Sequence, residues 1–146
     1  MSSESYFTLR QANEALPRLH HLFMTILQVR GLLRSLYEKL DDAGFAPEED
    51  EEDEVPEDAP PDVARDRARF YALVETLREH VEDVQDTGCV IRDLDTGSVD
   101  WRARSGQADV WLNWQFGEPE VKFYHDEYTD VSERRPVSEL EAPTER

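Results

Sequence analysis

Two apolar stripes that match residue for residue constrain this chain more than any other feature. Leu19, Leu22, Ile26, Val29, Leu33, Leu36 and Leu40 recur at alternating spacings of three and four, the repeat of a helix that buries one seam against another helix. A second seam, Val63, Phe70, Val74, Leu77, Val81 and Val84, with Arg67 at its one polar step, follows after a break. Laid antiparallel, the seams pair at a single register, with Leu40 facing Val63, Val29 facing Val74 and Leu19 facing Val84. The match predicts a coiled-coil-like helical hairpin with arms of about 24 residues, roughly 36 Å long.

The ends of these helices are marked. Thr8-Leu9-Arg10-Gln11 reads as a capping box that starts a short helix at 9–15. Pro17 then forces a fresh or kinked start, so the first helical stretch covers residues 6–42. Between the arms, Glu48 to Glu54 are all acidic, and Pro47, Pro56, Pro60 and Pro61 break any helix, so 43–61 is expected to be a disordered acidic loop. Its plain role is a solvated spacer, and its sharper one is a docking arm for a basic protein partner. Asp62 is the expected N-cap of a helix over 62–86, with Gly88 as its stop.

After Gly88 the apolar period switches to two. Four strands follow, 89–94, 99–104, 109–116 and 121–125, separated by short Gly-, Asp- and Pro-containing turns that predict an antiparallel meander over 89–125. In an unbulged meander one face carries Val90, Leu94, Val99, Trp101, Ala103, Val110, Leu112, Trp114, Phe116, Val121 and Phe123, and that face packs on the helices. Beyond Tyr128 the chain loses its apolar period and is expected to fray. The expected fold is therefore α+β, with residues 1–137 as one domain and 138–146 as a flexible tail.

Charge excludes some partners. Asp and Glu number 34 against 16 Lys and Arg, a net charge of -18, which repels nucleic-acid phosphate and anionic membranes alike. No apolar run is long enough to span a bilayer, and MSSESYFTLR lacks the pattern of an export signal, so a cytoplasmic protein is expected. Cys89 is the only cysteine, which rules out an internal disulfide and any cysteine-cluster zinc site. The chain contains no HExxH, GxSxG, GxxxxGK[ST] or GxGxxG string.

Hairpin arithmetic places candidate chemistry on the sheet. One row runs Asp93, Asp100, Asn113, Tyr124, and two facing carboxylates repel unless a divalent cation, a shared proton or a guanidinium intervenes. Arg102, two residues along, is the simplest neutraliser. A second row runs Arg92, Trp101, Leu112, His125. Asp93, Asp100 and His125 form the expected metal-ligand set. His125 is also followed by Asp126 and Glu127, with Glu118 and Glu120 in the turn before its strand, and one nitrogen with several carboxylates would suit zinc, iron or manganese. Glu118 and Glu120 lie at the far end of the last strand, about 16 Å from His125, too far to share one ion with it. A His125 that merely fills the core edge is the structural alternative. His20, His21 and His80 gather at the sheet end of the hairpin with no ligand spacing.

The segments YFTLRQANEALPRL, GCVIRDLDTGSVDW and VWLNWQFGEPEVKFYHDEYTDVSERRPV resemble the bacterial and archaeal family called domain of unknown function 2203. The likeness spans residues 6–42 and 63–137; its most distinctive string joins the aromatic strand to Gly117-Glu118-Pro119, His125 and Arg135-Pro136. The long acidic insertion departs from the family pattern. The resemblance implies a family and no reaction, cofactor or catalytic residue. The expected function is a non-enzymatic, self-associating interaction module, a homo-oligomer (dimer) held through the helical hairpin, binding neither nucleic acid nor membrane. The alternative is a metal-dependent or acid/base enzyme using Asp93 and Asp100 with His125 nearby.

Overall fold

The computed structural model describes residues 6–48 and 56–142. Three helices, α1 (Leu9–Glu14), α2 (Leu16–Asp42) and α3 (Pro61–Asp86), precede five strands: β1 (Val90–Asp93), β2 (Ser98–Ser105), β3 (Ala108–Gln115), β4 (Phe123–Asp126) and β5 (Arg135–Pro136). The fold is α+β, with a helix-rich N-terminal half and an antiparallel sheet in the order β1-β2-β3-β4-β5. No helix among the described residues is long and apolar enough to cross a membrane.

The chain divides into two compact units, one of residues 6–23 with 83–142 and one of 24–48 with 56–82. In the second unit α2 and α3 meet through Lys39 Nζ and Asp66 Oδ2 at 2.8 Å, and through the Tyr37 and Phe70 rings, with centroids 6.4 Å apart. Arg67, the polar step of the second seam, is buried, and its Nη1 donates to the Phe45 carbonyl at 2.9 Å. Gly44 turns the chain beyond α2 at a φ of 82°, and Phe45 N–H donates back to the Leu40 carbonyl. The start of the expected acidic loop is thus folded onto the helix ends, whereas the acids at 49–54 lie outside the described residues. α3 begins one residue before the expected cap, with Pro61 in its first turn, where a missing N–H costs nothing.

In the first unit the Thr8 capping box forms as expected: Gln11 N–H donates to Thr8 Oγ1, and Thr8 N–H donates to Gln11 Oε1. Gly88 ends α3 at a φ of 101°, and a Cβ there would collide with the Phe7 ring. Ala12, Leu16, Leu19, Leu22, Phe23 and Val84 are buried, as are Val99, Trp101, Ala103, Val110, Leu112 and Trp114 on the apolar face of β2 and β3.

Three expectations about the sheet are corrected. It has five strands, not four, because Arg135 and Pro136 pair with Tyr124 and Phe123 at the edge, where a proline removes no needed donor. Residues 129–142, expected to fray, fold along the sheet instead, with Val137 N–H donating to Lys122 O and Glu141 N–H to Ser105 Oγ. The β3–β4 register is one residue from the expected one, placing Asn113 opposite Phe123 and Leu112 opposite Tyr124. A wider loop causes this: Asn13 Oδ1 takes the Val121 N–H at 2.7 Å, which withdraws Val121 from the ladder. A slip of one residue exchanges faces, so Tyr124 is buried in the core and half-buried Phe123 turns to the other side.

Candidate functional site

The register places one buried charge at the centre of the sheet face turned away from the apolar core. Asp100, on β2, is wholly buried and accepts three hydrogen bonds, from Arg92 Nε at 2.7 Å, His125 Nε2 at 2.8 Å and Asn113 Nδ2 at 2.8 Å. A buried carboxylate persists only where such donors replace water. Asn113 is itself saturated, because Nδ2 also meets Ser98 Oγ and Val99 O while Oδ1 accepts from Arg134 Nη1. Arg134 Nη1 continues to Glu118 Oε2 at 2.9 Å, its guanidinium lies 4.1 Å from the Phe123 ring centroid, and Glu118 Oε1 also takes the Gln115 N–H. His125 Nδ1 lies 3.1 Å from the Asp126 carbonyl. Both ring nitrogens therefore face oxygens that only accept.

The expected polar row is only partly assembled. Asp100 and Asn113 are opposite, as expected. Asp93 is not their neighbour: a bulge between Ile91 and Asp93 sets Val90 opposite Asp100 and Asp93 opposite Ser98. The bulge residue Arg92 supplies the neutralising guanidinium expected of Arg102. Asp93 Oδ1 instead caps the turn by accepting the Asp95 N–H at 2.8 Å. Tyr124 lies on the apolar face, where its hydroxyl accepts from Arg135 Nη2, a bond that raises the Arg135 guanidinium above its ordinary value. His125, expected beside Trp101 and Leu112, faces Trp111 and meets Asp100 because of the β3–β4 slip. Asp93, Asp100 and His125 do not converge as a ligand set, and no three His, Cys, Asp or Glu side chains among the described residues are grouped to hold a metal ion. Sequence reasoning missed Arg134 as a partner of this centre, although the Arg-Pro close beside it was visible.

Beside the network lies a half-open cleft of about 550 Å³, lined among others by Arg92, Ser98, Trp111, Gln115, Glu127 and Asp130. Arg92 and Arg102 both lie against the Trp111 ring, 4.7 and 5.0 Å from its centroid. Arg102 Nη1 also pairs with Asp109 at 3.0 Å. At the cleft mouth, Ser132 donates its hydroxyl and backbone N–H to Asp130, holding that carboxyl below its usual range. Cys89 is buried next to β1; burial pushes its thiol up, the Asp100 charge adds to this, and the Thr87 hydroxyl opposes it.

An α+β domain whose sheet carries one buried, carboxylate-centred network defines the class of protein. The family model described as "Uncharacterized conserved protein (DUF2203)" matches residues 5–137, and the chain belongs to that family. No curated protein and no solved structure gives a significant match.

Proposed function

We propose that this protein is a non-enzymatic, self-associating interaction module, a homodimer in which the hairpins of two copies form a coiled-coil-like four-helix bundle. One observation carries the reading. Along α3 in the helical unit, Phe70, Leu73, Val74, Leu77 and Val81 recur at helical spacing, and every one is only half-buried. On α2, Leu32 and Tyr37 remain 43% and 44% exposed. A two-helix layer cannot cover stripes on both of its helices, and a second hairpin is the usual remedy. The net charge of -18 is consistent with a cytoplasmic module that avoids nucleic acid and anionic membrane.

The enzyme reading gains less from the geometry. Asp93 stands apart from Asp100, and both nitrogens of His125 are engaged, so neither is left to take a proton from a substrate. Light scattering on the eluting protein at micromolar concentration tests the proposal. The expected mass is twice the 17.0 kDa of one chain, and Leu77→Glu on the half-buried stripe should return it to a single chain without loss of helix content. A wild-type protein of single-chain mass at these concentrations refutes the proposal.

A further inference from the structure

We propose that the cleft beside Asp100 binds a small zwitterion, a carboxylate that carries an ammonium group in the manner of a free amino acid. This goes beyond self-association, because the cleft lies wholly within the sheet-bearing unit and none of its lining residues belongs to the hairpin stripe.

Arg92 lines this cleft. Among the described residues its guanidinium hydrogen-bonds through Nε alone, to the wholly buried Asp100, and it lies against the Trp111 ring. The side chain is 39% exposed, and Nη1 and Nη2 keep their N–H donors for a ligand. A guanidinium held this way is a preorganised fork for a carboxylate, because its rotamer entropy is already spent. Neutral donors line the same cleft. Ser98, buried, accepts from Asn113 and retains its hydroxyl proton, and the Gln115 amide has no side-chain partner among the described residues.

The opposite charge comes from Glu127, also in the lining, exposed and without a partner among the described residues. Asp93 and Asp130 add two more carboxylates. A plain anion reaching Arg92 would meet these carboxylates and the field of a chain at -18, whereas a plain cation would meet Arg92. A ligand with both charges at its two ends satisfies both, and about 550 Å³ is ample for one.

The test is an amide and indole NMR titration of the full chain with each of the free L-amino acids, and with acetate, methylammonium and inorganic phosphate as single-charge probes. At least one amino acid should shift the Trp111 indole and Arg92 Nε signals saturably, about tenfold or more tighter than acetate or methylammonium, the loss expected for one missing ion pair. Arg92→Gln should weaken that binding about tenfold or more, with a melting curve to confirm that the variant folds. Glu127→Gln changes an exposed side chain, leaves the fold alone, and should weaken it by a similar factor. No saturable shift with any amino acid, binding of phosphate or acetate as tight as the best amino acid, or a Glu127→Gln affinity equal to wild type would each overturn the proposal.

Discussion

Replacing Asp100 with Asn removes one charge while keeping the shape, and the geometry gives both sign and size. Oδ2 accepts from Arg92 and His125 while Oδ1 accepts from Asn113. An Asn at this position has one oxygen. With that oxygen kept for Arg92 and His125, its NH2 abuts the Asn113 NH2. Asn113 cannot turn over in response, because its Nδ2 serves Ser98 and Val99 and its Oδ1 receives Arg134. With the amide reversed, two donors face nitrogen instead. Leaving buried hydrogen-bonding groups mismatched costs about 1–3 kcal/mol, and at this chain length that corresponds to a fall in Tm of roughly 4–10 °C. Had Asp93 faced Asp100, as unbulged hairpin arithmetic has it, the same change would have relieved a repulsion and left the protein unchanged or more stable. Urea and thermal unfolding followed by circular dichroism, with His125→Ala and the double variant completing a cycle, read the effect and a coupling of about 1–3 kcal/mol. A neutral or stabilising Asp100→Asn would refute the network as drawn.

Other parts of the fold yield further tests. Because burial raises the Cys89 thiol, the folded state keeps a proton that the unfolded chain gives up from about pH 8.5. The contribution is therefore fully present below that pH and is lost as pH rises towards the folded value. Unfolding curves between pH 7 and 10 should show an alkaline decline that Cys89→Ala lessens, and native Cys89 should react slowly with iodoacetamide. Gly88→Ala meets both a φ of 101° and the Phe7 ring, so it should lower stability by about 1–3 kcal/mol in chemical denaturation. Thr8→Ala removes the acceptor for the Gln11 N–H and should cost about 1 kcal/mol in the same assay.

How far the sequence could be read depended on whether local or distant chemistry decided each feature. The Thr8 box, the stop at Gly88 and the alternating face of β2 and β3 were legible because neighbouring residues set them. Asp100 opposite Asn113 was legible for the same reason, since the short turn between β2 and β3 fixes that register. The β1–β2 pairing was not, because no local signal shows that Arg92 will form a bulge drawn towards a carboxylate eight residues on. The β3–β4 pairing failed for a longer-range reason: Asn13 takes the Val121 N–H across a separation of 108 residues. Those two misreadings account for the misplaced site. Arg134 was hidden because its partners, Asn113 and Glu118, lie on a strand and a loop that only the tertiary fold brings to it.

The composition of the network explains why such a cluster persists on this face. Arg92 comes from β1, Asp100 from β2, Asn113 from β3 and His125 from β4, and Arg134 immediately precedes β5. A buried ionic cluster is seldom the most stable filling for a sheet face, since apolar residues of equal volume often do as well or better. What it adds is selectivity among registers. A slip of one residue between any two of these strands turns a member to the apolar side and strands a buried charge, whereas an aliphatic cluster would tolerate the slip with a small loss of area. The short strands make this discrimination necessary, because β1 and β4 have four residues each and β5 has two, too few for backbone ladders alone to choose between adjacent registers. The same bonds that select the register also hold the Arg92 guanidinium against Trp111 at the edge of the cleft. Positional precision at that edge is thus a physical consequence of how the sheet chooses its pairing.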